Sequence, residues 1–260
     1  MPLHVRDLGS GPPVVLLHPG PGLDGSVFLP GAQALADAGF RALLVDLPGS
    51  GRSPAGDWTL AAQAEAVEEF ATELALDDWT LLGHSFGGYV AMQHLVDFGT
   101  AARLIASCTD ADEEPPPGAS DDAGWDDMPP SVAAAFERES SVRTPEECLQ
   151  VWRDQLPFFA DDPVAVEPML DRVVFQPEAH RKRDFGELHA LEALATTDIP
   201  VLAIAGAHDR ATPPALAERI AATAPHGELV VIDGAGHFPF AEAPDRYWPA
   251  LIDWLRRTGP

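Results

Sequence analysis

The chain reads as an α/β fold, with a mostly parallel central sheet of about seven strands flanked by helices and interrupted by a helical insertion. Three observations predict it. Short β-type apolar runs alternate with longer helical patterns over roughly the first hundred residues, the sign of parallel strands joined by crossover helices. That alternation then breaks into consecutive helical patterns before resuming near the C-terminus. The 260 residues, 46% hydrophobic and 22% charged, suffice for one full-sized core.

The elements follow in order. Pro13 to Leu17 is a strand, followed by the loop His18-Pro19-Gly20-Pro21-Gly22. A helix is expected over Phe28 to Ala38, stopped by Gly39. Ala42 to Val45 is a second strand, ending in Asp46-Leu47-Pro48-Gly49-Ser50-Gly51-Arg52-Ser53. Thr59 to Leu76 is a helix with Thr59 as its N-cap. Thr80 to Leu82 runs into Gly83-His84-Ser85-Phe86-Gly87-Gly88, and the next helix carries Met92, Leu95 and Val96 on one apolar face. Arg103 to Ser107 is a fourth strand. The stretch before Pro13 has room for one more.

Asp110 to Asp127 holds eight acids, no base and three consecutive prolines, which predicts an exposed, mobile loop. Helices are expected at Ser131 to Glu139, Thr144 to Leu156, Pro163 to Phe175 and Gly186 to Ala195. Strand Val201 to Ala205, helix Pro213 to Ala224, strand Leu229 to Ile232 and helix Asp245 to Arg257 complete the chain. The organisation is therefore an α/β core at 1–109 and 196–260, with a helical cap inserted at 110–195.

Charge narrows the function classes. Forty-one acids against 16 bases give −25 at pH 7. Phosphate-binding surfaces need a basic footprint, so nucleic acid is excluded as a partner. The same field repels anionic membranes and favours neutral or cationic ligands; solubility or a salt-rich habitat is the plainer reading of the same charge. Apolar runs are strand-length, too short to span a bilayer, and the N-terminus lacks the pattern of a signal peptide. A cytoplasmic location follows as the expectation, with Cys108 and Cys148 as free thiols.

The chemistry gathers at loops that follow strands. Ser85 lies in a G-x-S-x-G pattern between a predicted strand and a predicted helix. A sharp turn there projects the hydroxyl from the sheet's carboxyl edge, and a Cβ at Gly83 or Gly87 would collide with neighbouring backbone. The helix that follows aims its N-terminus at Ser85, so the Phe86 N–H can face a developing oxyanion. A serine needs a base, and His237 in Gly234-Ala235-Gly236-His237 is the candidate. The base needs a carboxylate: Asp209 follows strand Val201 to Ala205, with Asp110 as the backup.

The elbow around Ser85, Asp209 after the penultimate strand, His237-Phe238 near the end and the helical insertion occur in the order of the α/β-hydrolase family, which the sequence resembles over nearly its whole length. A serine nucleophile separates it from dehalogenase and epoxide-hydrolase relatives, which use Asp. The family's first hairpin is shortened here. The loop His18-Pro19-Gly20-Pro21-Gly22 is similar to the His-Gly-Gly-Pro-Gly signature of proline iminopeptidase relatives, with Pro19 replacing the first glycine. The resemblance implies that the second oxyanion N–H comes from Gly20, two residues after the His. A tight turn with a cis Gly20–Pro21 bond would aim it.

Two positions depart from those peptidases. Asp46-Leu47-Pro48-Gly49 replaces Asp-Gln-Arg-Gly, and Phe86 replaces a Trp, as in esterases and carbon–carbon or lactone hydrolases of this fold. Asp46 and Arg52 would brace the loop behind the site. A peptidase would also need a cap carboxylate for the substrate amine, from Glu113, Glu114, Glu137, Glu139, Glu146 or Glu147. Trp125, Phe136, Trp152, Phe158, Phe159 and Phe175 would pack the cap and line an acyl pocket.

The sequence thus predicts a serine hydrolase cleaving a small ester or amide through an acyl-enzyme. Ser85, Asp209 and His237 would be catalytic, with Gly20 and Phe86 as the oxyanion hole. Its partner would be a small-molecule or short-peptide substrate. No metal or organic cofactor is implied, since no cluster has ligand spacing. A carbon–carbon or lactone hydrolase is the alternative, and a non-catalytic ligand-binding member of the fold is a third reading.

Overall fold

A computed structural model describes residues 2–112, 128–181 and 185–259 of the chain. Seven strands form one sheet in the order β1-β3-β2-β4-β5-β6-β7. They are β1 (Val5–Gly9), β2 (Pro13–Leu17), β3 (Arg41–Val45), β4 (Thr80–His84), β5 (Arg103–Ser107), β6 (Val201–Gly206) and β7 (Gly227–Ile232). Only β1 runs antiparallel, against β3. The crossover helices are α1 (Gln33–Asp37), α2 (Leu60–Glu73) and α3 (Phe86–Asp97). Among the described residues, five more lie between β5 and β6: α4 (Pro130–Glu139), α5 (Pro145–Phe159), α6 (Pro163–Leu170), α7 (Pro177–His180) and α8 (Leu191–Thr196). Then come α9 (Pro214–Thr223), α10 (Pro239–Glu242) and α11 (Pro244–Thr258). No helix among the described residues is long and apolar enough to cross a membrane.

Register explains why the inner strands read as unbroken apolar runs. Leu44, Leu16, Leu82, Ile105 and Leu202 align across β3, β2, β4, β5 and β6. They feed one buried cluster with α11 and the inserted helices. One residue earlier, Leu43, Val15, Leu81, Leu104 and Val201 form the opposite row, packed by α2, α3 and α9. Both faces are covered, so alternation disappears from these strands. At the far edge, β7 leaves Leu229 and Val231 partly exposed.

Several expected elements differ. The helix expected over Phe28 to Ala38 is split into a 3₁₀ turn at Gly25–Phe28 and the short α1. Pro30 has no N–H to donate and restricts Leu29, so no continuous helix crosses that point. In α3, Met92 is buried but Val96 faces solvent; Val90, Ala91 and His94 complete the buried side. Helix α6 ends at Leu170 rather than Phe175, and α8 begins only at Leu191. Leu188, Ala190 and Leu194 pack with α3 and α9. Helices α7 and α10, four residues each, are too short for periodicity to reveal. Most of the acidic segment lies outside the described residues, as do Glu113, Glu114 and Trp125.

Helix α5 shows how the insertion is anchored. Thr144 accepts from the Glu147 N–H (3.2 Å) while Glu147 accepts from the Thr144 N–H (3.2 Å), a reciprocal cap. Cys148, Val151, Trp152, Gln155 and Leu156 then recur at helical spacing and are all buried. The helix ends over the loop that follows β7.

Candidate active site

Ser85 closes β4 in a conformation that non-glycine residues rarely adopt, with φ 53° and ψ −118°. The turn is held by a bond from the Ser85 N–H to the Ser107 carbonyl (3.0 Å) and one from Thr109 Oγ1 to the Ser85 carbonyl (2.9 Å). Close packing forces the glycines around it. A Cβ on Gly83 would overlap the Gly87 carbonyl, and one on Gly87 would overlap the Leu17 carbonyl. Phe86 starts α3, so its N–H has no partner one helical turn back.

Gly87 therefore sits against the end of β2, where the His18–Gly22 loop begins. The Gly20–Pro21 bond is cis, and Gly20 has φ +141°. Buried His18 holds the loop: Nδ1 donates to the Pro19 carbonyl (2.7 Å) and Nε2 accepts from the Leu47 N–H (3.1 Å). Burial lowers its pKa against the pull of that carbonyl and of Asp46 and Asp24, which keeps the ring neutral. The Gly20 N–H makes no backbone hydrogen bond among the described residues. Asp46 braces the next loop, accepting from the Gly25 and Arg52 N–H groups (both 2.9 Å). The Arg52 guanidinium lies 3.7 Å from Asp24.

Asp209 and His237 are joined. The Asp209 Oδ2 accepts from His237 Nδ1 at 2.8 Å, with both side chains buried. Thr212 Oγ1 donates to the same oxygen (2.7 Å), and Oδ1 accepts from the Ala211 and Thr212 N–H groups (2.9 and 3.0 Å). Burial works to raise the Asp209 pKa, but His237 and the Thr212 bonds outweigh it, and the carboxyl titrates below its ordinary range. The His237 N–H donates to the Phe159 carbonyl at the end of α5 (2.7 Å). Glu242 accepts from the Gly236 and Phe238 N–H groups on either side, and from those of Asp161 and Asp162. The His237 ring is 5.1 Å from that of His84, the residue before Ser85.

Asp110 does not join this group. It is paired with Arg219 (2.5 Å), which corrects the expectation of a backup acid. Among the described cap carboxylates, Glu137, Glu146 and Glu147 are exposed, and buried Glu139 accepts from Gln155 Nε2 (2.5 Å) between α4 and α5. Thr212, Glu242, Thr109 and Ser107 were not singled out from sequence. Each lies in a loop, in the one-turn helix α10 or at a strand end, where an isolated polar residue has no pattern to mark it.

One group of potential metal ligands converges among the described residues: His84, Cys108 and His237, with ligand atoms within 4.8 Å of one another. Its members are otherwise engaged. His237 bonds Asp209, His84 Nδ1 bonds Ser107 Oγ (3.1 Å), and burial pushes the Cys108 thiol well up, keeping it protonated. The arrangement offers a carboxylate-oriented imidazole whose ring lies against that of His84, the residue before the strained Ser85.

The model of the alpha/beta hydrolase family matches residues 14–250. The chain is 32% identical to a pimeloyl-[acyl-carrier protein] methyl ester esterase of Xanthomonas campestris pv. campestris, over 96% of this chain and 97% of the relative. It is 29% identical to a non-heme chloroperoxidase of Kitasatospora aureofaciens, covering 89% and 87%. Among solved structures, a thermophilic esterase from Thermogutta terrifontis superposes with a TM-score of 0.80 at 27% identity, covering 99% of this chain and 94% of that one. The chain belongs to the alpha/beta hydrolase family.

Proposed function

We propose that this chain is a serine esterase that hydrolyses a small ester, without net negative charge, through an acyl-enzyme. The observation that carries the reading is the buried Asp209–His237 pair beside the strained Ser85 turn. Asp209 fixes the proton on Nδ1, which leaves Nε2 as the base. His237 takes the Ser85 proton as Oγ attacks the acyl carbon. The N–H groups of Phe86 and Gly20 hold the oxyanion, and His237 returns the proton to the departing alcohol. Water, deprotonated by His237, then attacks the acyl-enzyme and releases the acid.

The esterase names of the relatives support an ester over a peptide bond. So do the described cap carboxylates, none of which is both buried and unengaged. The peptidase likeness rests on the His18–Gly22 loop alone. The charge of −25 disfavours anionic substrates. The test compares a short-chain p-nitrophenyl ester with a proline anilide, using Ser85→Ala as control. Ser85-dependent ester hydrolysis with negligible anilide cleavage is expected. A preference for the anilide would replace this reading with the peptidase one.

A further inference from the structure

The carboxylate of Glu242, in α10, gathers four backbone N–H groups from two segments far apart in the chain. Oε1 accepts from Phe238 (3.0 Å), and both oxygens lie 3.1 Å from the Gly236 nitrogen. Oε2 accepts from Asp161 (2.7 Å) and Asp162 (3.0 Å). A carboxylate offers about four lone-pair sites and no donor, so these partners use its whole accepting capacity. Gly236 and Phe238 flank His237. Asp161 and Asp162 lie where α5 gives way to α6, 81 and 80 residues before Glu242.

Capping of α10 explains only half of this. A glutamate reaching back to the start of its own short helix accounts for Gly236 and Phe238. It does not account for Asp161 and Asp162. Other contacts join the same two segments. The His237 N–H donates to the Phe159 carbonyl (2.7 Å). A Cβ on Gly236 would lie 2.5 Å from that carbonyl oxygen and 2.8 Å from the Asp161 nitrogen, so only glycine permits the approach. The loop that carries Asp209 meets the same junction. The His208 N–H donates to the Ala235 carbonyl (2.9 Å), and His208 Nδ1 lies 3.0 Å from Asp161 Oδ2.

We propose that Glu242 is a positioning residue for His237, clamping the base to the α5–α6 junction so that its imidazole is placed only while the inserted helices are seated. The inference rests on the esterase reading above and deepens it, giving the insertion a part in the chemistry. A peptide segment held by charge-assisted bonds on both sides of one residue leaves that residue little freedom. Without the clamp the imidazole drifts, and a displacement of about 1 Å costs on the order of 10²-fold in rate.

Glu242→Gln tests this in the full chain. The amide keeps the side-chain length but has one accepting oxygen, and its NH2 meets N–H groups that also donate. Hydrolysis of a short-chain p-nitrophenyl ester should show kcat reduced roughly 10²-fold, with KM within about 3-fold of the parent's. The second readout needs no substrate. The downfield proton NMR signal of His237 Nδ1–H, assigned by its loss in His237→Gln, should shift or broaden. Where Glu242→Gln does not fold, Glu242→Asp takes its place, its carboxylate drawn back by one methylene. A folded variant with the parent's kcat would overturn the clamp. So would a fall in kcat with the His237 signal unchanged, the pattern of a brace that acts elsewhere. If the parent shows no Ser85-dependent hydrolysis of any ester, the esterase reading falls, and the His237 signal alone decides the clamp.

Discussion

Asp209 has its acceptor directions filled: two backbone N–H groups on one oxygen, and Thr212 Oγ1 with His237 Nδ1 on the other. An anion so engaged can only accept, which dictates that Nδ1 of His237 carries the proton. Asp209→Asn keeps the shape but places an amide where the charge was, and it can reverse the imidazole tautomer. Steady-state kinetics should then show kcat reduced by roughly 10³- to 10⁴-fold with KM little changed. A reduction below about 10-fold would mean that the pair is structural. Such detail is only half legible in a sequence. Asp209 and His237 could be named because each follows a strand, next to a glycine-containing turn. Thr212 and Glu242 matter as much to the loop geometry, yet a threonine three residues on or a glutamate in a short helix looks ordinary.

At the scale of elements, β4 and α3 meet at a turn with no room for a side chain. Gly83 faces the Gly87 carbonyl and Gly88 Cα, and both neighbours are backbone that cannot rotate away. Gly83→Ala should therefore lower stability by about 3 kcal/mol or more in urea unfolding, well beyond an ordinary surface change. An unfolding midpoint equal to the parent's would show that the turn relaxes. Strands β2, β4, β5 and β6 were readable because burial on both faces demands unbroken apolar runs. Helices α7 and α10 were not, since one turn of helix carries no period. The split before α1 was visible in principle at Pro30, inside the helix expected over Phe28 to Ala38. The inserted helices were located by their helical patterns, whereas their contact with the His237 loop through the Phe159 carbonyl depends on tertiary packing.

For the molecule as a whole, acid acts through buried histidines as well as through the 41 acids. In the unfolded chain His180 would titrate near 6.5, but folded it titrates near 4. As pH falls the unfolded state takes up the proton first, so stability is held above the unfolded value and lost between the two. The loss attributable to His180 is about 2 kcal/mol between about pH 7 and about pH 5. Burial shifts His84 and His94 in the same direction, and Asp209, held below its ordinary range, adds a loss at lower pH still. Denaturant unfolding of His180→Phe should accordingly show a flatter decline over that interval than the parent. Parallel curves would mean that His180 does not titrate as its surroundings dictate.

The central claim is that Ser85 is a nucleophile, and covalent capture tests it most directly. The parent protein is incubated with a fluorophosphonate probe and examined by intact-mass spectrometry and peptide mapping, alongside Ser85→Ala. One adduct per chain, mapped to Ser85 and absent from Ser85→Ala, is the predicted result. No adduct on the folded parent, or one that persists in Ser85→Ala, would contradict it.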